Sequence, residues 1–351
     1  MPRRLPLLMV LTASAAVTLP VTPTMARQER YDVEVFEPVG SQPSIFASAM
    51  NEQGVIIGHA GDDRYDPRAM PIAVYHGRVI EGPRPNESLN FLLGLGRADL
   101  IVGTSSTFPH VWKRGVPQRL RPAGGIPQGS ATDANTRGII CGEVVRDFSG
   151  AQYPVVWPSA GSRGILLPGL GDARRGAAFA INENDQVAGA IHGIGGYDFV
   201  AVRWDSRGAP PVPLGVLPGA MNSEGLCLNN RGDVAGRSSF PDFSTKAFIY
   251  LDDTTEIINL GHLGGGYSFA HGINDARQVV GESSINGQVH GFLWQQGAMH
   301  DLNDLIRNTS EPILSLSNAL AIDSRGRIAA EAQVVDGFGT ATRIALLTPV
   351  R

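Results

Sequence analysis

Asp62, Asp63 and Asp66 fall within the stretch HAGDDRYDPRAM, and clustered carboxylates are what a calcium ion takes. The stretch lacks the alternating acids, central Gly and terminal Glu of an EF-hand loop, so a solvated loop is expected. His262, His271, His290 and His300 lie close together in sequence and could offer imidazoles to a metal. No His-x-x-x-His or Cys-containing spacing joins them, and no metal or other cofactor is expected. The Gly-rich GHLGGGYS has no Lys-Ser/Thr and no G-x-G-x-x-G opening a helix, so it is no phosphate cradle. A Gly-x-Ser-x-Gly elbow is absent as well.

What positions these residues is a repeat. The segment AHGINDARQVVG aligns on its Asn274 with segments anchored at Asn51, Asn135, Asn182 and Asn229, and with weaker copies at Gly96 and Asp323. Five positions after each anchor stand Ile56, Ile101, Ile140, Val187, Val234, Val279 and Ile328, all β-branched, as a packed strand prefers. Asn or Asp at the anchor, with Gly54, Gly138, Gly232 or Gly326 three positions on, reads as a hairpin turn. Seven positions on, Gly recurs in every copy except at Ala330, which predicts close backbone approach. A third apolar run follows, ending near Tyr75, Trp112, Trp157, Trp204, Tyr250 or Trp294, and then a short fourth run.

Each unit of about 46 residues is thus four antiparallel strands, and one such sheet cannot bury both its faces. Radial stacking solves this, so the expected fold is all-β: a seven-bladed β-propeller occupying residues 31–350 as one domain. The last copy stops after its third strand, while YDVEVFEPV, residues 31–39, is a fourth-strand sequence with no partners of its own. Pairing it with the strand near Arg343 to Leu347 would close the ring and remove an open edge. A parallel solenoid is the alternative. Cys141 and Cys227 occupy small apolar columns in copies that are not neighbours, which predicts two buried free thiols.

In that frame, loops leaving each second strand and loops between blades share one face. They carry Asp62, Arg64, Tyr65 and Asp66; Asp147; Arg174 and Arg175; His192, Tyr197 and Asp198; Asp242; His262 and Tyr267; and Glu282. Aromatics mixed with charges suit a polar ligand such as a glycan, and equally an ordinary surface.

The first residues place Arg3 and Arg4 ahead of an apolar run from Leu5 to about Val21 and small residues ending at Ala26, the layout of a secretory signal. Pro6 and Pro20 bracket a core too short to span a bilayer, and retention as an anchor is the alternative. Net charge is −4 over the whole chain. Nothing in that balance recruits nucleic acid or an anionic membrane.

The unit LGGGYSFAHGINDARQVVGESSINGQVHGFLWQQGAMHDL resembles the extracellular HAF-repeat family, in which LGG, S-A-x-G-I-N, G-Q-V-V-G and H-A-F-L-W recur in order. His290-Gly291-Phe292-Leu293-Trp294 stands where that family has its naming tripeptide, and Lys246-Ala247-Phe248 keeps part of it. The resemblance implies a secreted repeat protein and brings no activity with it. The expected function is a secreted, monomeric binding scaffold for a glycan or protein; the alternatives are a polysaccharide hydrolase or lyase and a structural envelope protein.

Overall fold

In five copies the anchor side chain folds its own backbone. The Asn51, Asn182, Asn229 and Asn274 Oδ1 atoms each accept from the amides two and four residues on, at 2.9–3.1 Å, and Asp323 does the same. The third residue after the anchor is left-handed at Gly54, Gly138, Gly232 and Gly326, and Asp185 and Arg277 adopt that conformation too. The turn, not the residue, fixes φ there.

The structure, a computed structural model, describes residues 29–38, 42–63, 69–81, 90–96, 100–113, 116–146, 150–193, 198–337 and 339–350. They form a seven-bladed propeller. Blade one is built from Ser44–Met50, Ile56–Gly61, Met70–Tyr75 and Arg78–Glu81, paired antiparallel in chain order. Blades two to six repeat this, with inner strands Asn90–Leu95, Gly129–Ala134, Gly176–Ile181, Asn222–Leu228 and Ser268–Ile273. Blade seven starts at Ser315–Ile322 and continues with Ile328–Asp336 and Gly339–Val350. Inner strands of successive blades touch around the whole circle, blade seven meeting blade one.

Closure occurs where the sequence placed it. Arg30–Phe36 pairs antiparallel with Gly339–Val350, Val33 opposite Leu347 and Phe36 opposite Ile344. One feature was not expected: Ile306–Thr309 adds a fifth strand, parallel to Arg30–Phe36, on the outer edge of blade seven. Arg307 and Asn308 both bond Asp32 across that pair. The four-strand expectation therefore holds for six blades and is exceeded in the seventh.

The core lies between blades. Leu100, Val102 and Val111 of blade two pack with Ile140, Val155 and Trp157 of blade three, and Ile45, Ile56 and Ile72 of blade one pack with Ala329 and Ile344 of blade seven. The β-branched column is buried, Ile101 only partly so, and each fully buried member contributes about 1.5–3 kcal/mol. Polar ties accompany this packing. Ser268 Oγ donates to Gly261 O at 2.6 Å and accepts the Ala247 amide of the preceding blade at 2.9 Å, and Ser223 repeats both bonds with Gly215 and Ala201. Trp157 and Trp204 donate their indole N–H to Arg121 O and Pro168 O. His290 Nδ1 lies 2.6 Å from Asp301, which also holds Asn303, and Asn303 bonds the Leu316 backbone of blade seven. The Ser and His of the repeat motif thus join blades.

Cys141 and Cys227 are free and buried in blades three and five. Burial pushes both thiols up, Cys227 to about 12, so neither offers a thiolate near neutrality. Native protein should leave Ellman's reagent unreacted over an hour, and denatured protein should titrate both thiols; rapid native reaction would show the blades open.

Candidate functional site

Each inner strand ends at its anchor, so the seven anchors gather at one mouth of the central channel. There the anchor side chains form a relay. Nδ2 of Asn135 donates to Asn182 O at 3.1 Å, Asn182 to Asn229 O at 2.9 Å, Asn229 to Asn274 O at 3.1 Å and Asn274 to Asp323 O at 3.0 Å. Asp323 has no N–H to pass on; its carboxylate instead holds Arg327, which donates to Glu52 O of blade one at 3.2 Å. Gly96 stands where an anchor side chain would, and a Cβ there would lie 2.9 Å from Asn135 O.

One residue further along runs a second relay. The Thr136 amide donates to Glu183, the Glu183 amide to Asn230, the Asn230 amide to Asp275, and the Ser324 amide to Glu52. Each carboxylate is thereby aimed by the backbone of the neighbouring blade. These rings enclose a cavity of about 230 Å3 reached by residues of all seven blades, among them Glu52, Asp133, Glu183 and Asp275. Among the described residues no Arg, Lys or His lines it; Arg97, which follows Gly96, lies outside them.

Asp133 is the outlier. It sits two positions before its anchor, in a column otherwise held by Ala49, Gly94, Ala180, Cys227, Gly272 and Ala321. Its Oδ1 accepts the Ala134 amide at 2.8 Å and its Oδ2 the Ile181 amide of blade four at 3.0 Å. Burial pushes its carboxyl up to about 7, outweighing those two amides, and the neighbouring Glu183 charge pushes the same way. Three arginines on this face are engaged elsewhere: Arg203 with Asp205 and Asp252, Arg277 with Asp233 and Asp253, and Arg137 with Asp185. Despite its burial, Asp233 is held below the usual carboxylate range by Arg277 and Asn229.

The residues expected from sequence lie mostly at the opposite mouth. Arg64, Tyr65, Asp66, Asp147 and Tyr197 fall outside the described residues. Asp62 is exposed after the second strand of blade one. Arg174, Arg175, His192 and Asp198 meet at one corner of blade four, where the His192 amide bonds Arg175 O and the Gly193 amide bonds Asp198 O. Asp242 caps Ser244 in an exposed turn, and exposed His262 accepts the Gly264 amide. Glu282 is not in a loop: it lies within the strand Val279–Ile285, and burial, with the Glu282 charge added, pushes the Tyr267 phenol up. That mouth also holds a cleft of about 330 Å3 between blades two and three, lined by Thr104, Ser106, Thr107, Gln128 and Ser130. It forms where the turn between the second and third strands of blade two is clipped to Ser106 and Thr107. Sequence reasoning missed the channel-end acids; the signal was an Asp in a column of small residues and Glu or Asp directly after three anchors.

No protein-family model and no curated protein matches this sequence. Solved structures do. A puromycin hydrolase S511A mutant complexed with PGG aligns with TM-score 0.55 at 11% identity over 84% of this chain, which spans only 50% of that one. YCF48 bound to D1 peptide aligns with TM-score 0.51 at 11% identity, covering 93% of this chain and 97% of that chain. A putative TolB from Agrobacterium tumefaciens gives TM-score 0.49 at 12% identity over 66% of this chain and 90% of that one. At such identities the first two share a fold with this chain, a β-propeller, and nothing narrower.

Proposed function

We propose that this chain is an extracytoplasmic binding module of the HAF-repeat kind that captures a peptide or protein segment at the anchor mouth of its channel. The observation that carries this is the channel-end cavity: polar side chains from six blades, with Glu52, Glu183, Asn230 and Asp275 each oriented by a neighbouring blade's backbone, around about 230 Å3. Groups fixed in advance lose little entropy on binding. The volume lies below the roughly 300–1,000 Å3 of pockets that enclose whole small molecules, so it suits one side chain of a larger partner. YCF48, which shares the fold, is described with a D1 peptide, and peptide capture is the use assigned here. The leader-like residues 1–26 lie outside the described residues, and their composition supports export. No described helix is long and apolar enough to cross a membrane.

Gln53 lines the cavity and is exposed. Peptides selected on the purified chain from a displayed random-heptapeptide library should bind Gln53→Trp at least tenfold more weakly, because the indole fills the mouth. Equal binding to the variant, or binding of neutral glycans alone on an array, would overturn the reading.

A further inference from the structure

We infer that the opposite mouth holds a second site: an aromatic row on the inner strand of blade six, flanked by Glu224 and Arg237 of blade five, that seats a neutral saccharide chain. It is independent of the peptide seat, which lies at the other end of the same strands.

Strand alternation builds the row. In Ser268–Ile273, Ser268 and Ala270 are buried against blade five, so Phe269 and His271 project the other way and stay half-buried. Tyr267 precedes them at the mouth, and backbone bonds fix its place: its amide donates to Ser284 Oγ at 3.1 Å, and its carbonyl accepts the Ser284 amide at 3.0 Å. Ring centroids step by 5.3 Å from Tyr267 to Phe269 and by 6.5 Å from Phe269 to His271. The negative face of an aromatic ring attracts weakly positive C–H groups, so a line of such faces partly open to water suits the C–H faces of successive sugar rings.

Polar groups stand beside the row. Arg237, in the second strand Val234–Ser239 of blade five, carries its guanidinium 5.4 Å from the centre of the Phe269 ring, and its Nε donates to Glu224, its partner across the strands. That bond orients the guanidinium while 40% of the Arg237 side chain stays exposed, against 15% of Glu224. Glu282 stands opposite Phe269 in the sheet, and cross-strand partners project to the same face. The guanidinium donates to sugar hydroxyls and the carboxylates accept from them, and such charge-assisted bonds are about twice as strong as neutral ones. Two carboxylates against one guanidinium disfavour an acidic sugar, and a peptide cation would compete with Arg237 for the Phe269 face. A neutral polyhydroxylated ring meets neither obstacle.

An array of neutral and uronate oligosaccharides probed with the full chain, followed by calorimetry with the strongest neutral binder, is the test. Neutral oligosaccharides should bind at least tenfold more tightly than uronate ones. Phe269→Leu, which keeps bulk and removes the ring, should weaken binding about tenfold at unchanged Tm, and Phe269→Tyr should retain it. Arg237→Gln should also weaken it about tenfold, and decides the matter if Phe269→Leu unfolds. Gln53→Trp, at the far mouth, should bind the saccharide as the unaltered chain does. Failure of every neutral saccharide to bind, tighter binding of uronates, full affinity in folded Phe269→Leu or in Arg237→Gln, or loss of the saccharide in Gln53→Trp overturns the inference.

Discussion

A chain that begins at Glu37 should show no cooperative thermal transition and should elute as an expanded or aggregated species. The truncation removes Arg30–Phe36, whose Tyr31, Val33, Val35 and Phe36 are buried. At about 1.5–3 kcal/mol for each buried side chain, roughly 6–12 kcal/mol of burial goes with them. Whole domains are stable by only about 5–15 kcal/mol. The backbone loses as much as the core does. The full ladder from Arg30 opposite Val350 to Phe36 opposite Ile344 disappears, Gly339–Val350 becomes an open edge, and Ile306–Thr309 loses the strand it pairs with. Blade seven would also cease to support blade one, because Phe36 packs with Ile45, Ile56, Ala329 and Ile344. Circular dichroism during heating, with size-exclusion chromatography, decides the matter. A sharp transition within a few degrees of the full chain would mean that the ring closes without this strand.

Closure was legible in the sequence because it follows from counting strands: a fourth-strand pattern at one end and a missing fourth strand at the other. The hairpin anchors were legible for a local reason, since Asn at a turn bonds amides two and four residues on wherever it stands. What was not legible depends on residues brought together by the ring. The Asn135 to Asn182 bond spans one repeat, and in a linear reading both residues look like self-contained turns. Asp133 is one more polar residue in the sequence TDANTRG, and only the folded ring lets its side chain bridge blades three and four. Ile306–Thr309 is short, polar and parallel to its partner, so it has none of the alternation that marks a strand. Non-repeating loops carry the candidate residues of the sequence because function concentrates on variable loops. The repeated anchor segments, because those of all seven blades converge, build a cavity that no single copy suggests.

The glycine seven positions after each anchor yields the second large effect. Each inner strand carries a bulge three residues before its anchor, at Ser48, Leu93, Thr132, Phe179, Leu226, His271 and Leu320. Next to the bulge, the inner strand's carbonyl leans over the facing glycine. A Cβ on Gly236 would lie 1.8 Å from Glu224 O, on Gly58 1.9 Å from Phe46 O, and on Gly281 1.9 Å from Phe269 O. These obstacles are backbone atoms, which cannot swing aside as a side-chain tip would. Gly236→Ala should therefore cost at least about 3 kcal/mol, the upper range for overpacking, and lower Tm by roughly 5–10 °C. Ala330 is the column's one exception, and among the described inner strands only that of blade seven has a second register shift against its neighbour, between Leu316 and Asn318, where the obstructing carbonyl would stand. That shift turns the strand and makes room for a methyl group. Ala330→Gly should then cost only the backbone entropy of glycine, about 0.5–1 kcal/mol. Differential scanning calorimetry of the two variants separates steric necessity from simple tolerance. If Gly236→Ala proves as mild as Ala330→Gly, the bulge is not what holds glycine in this column.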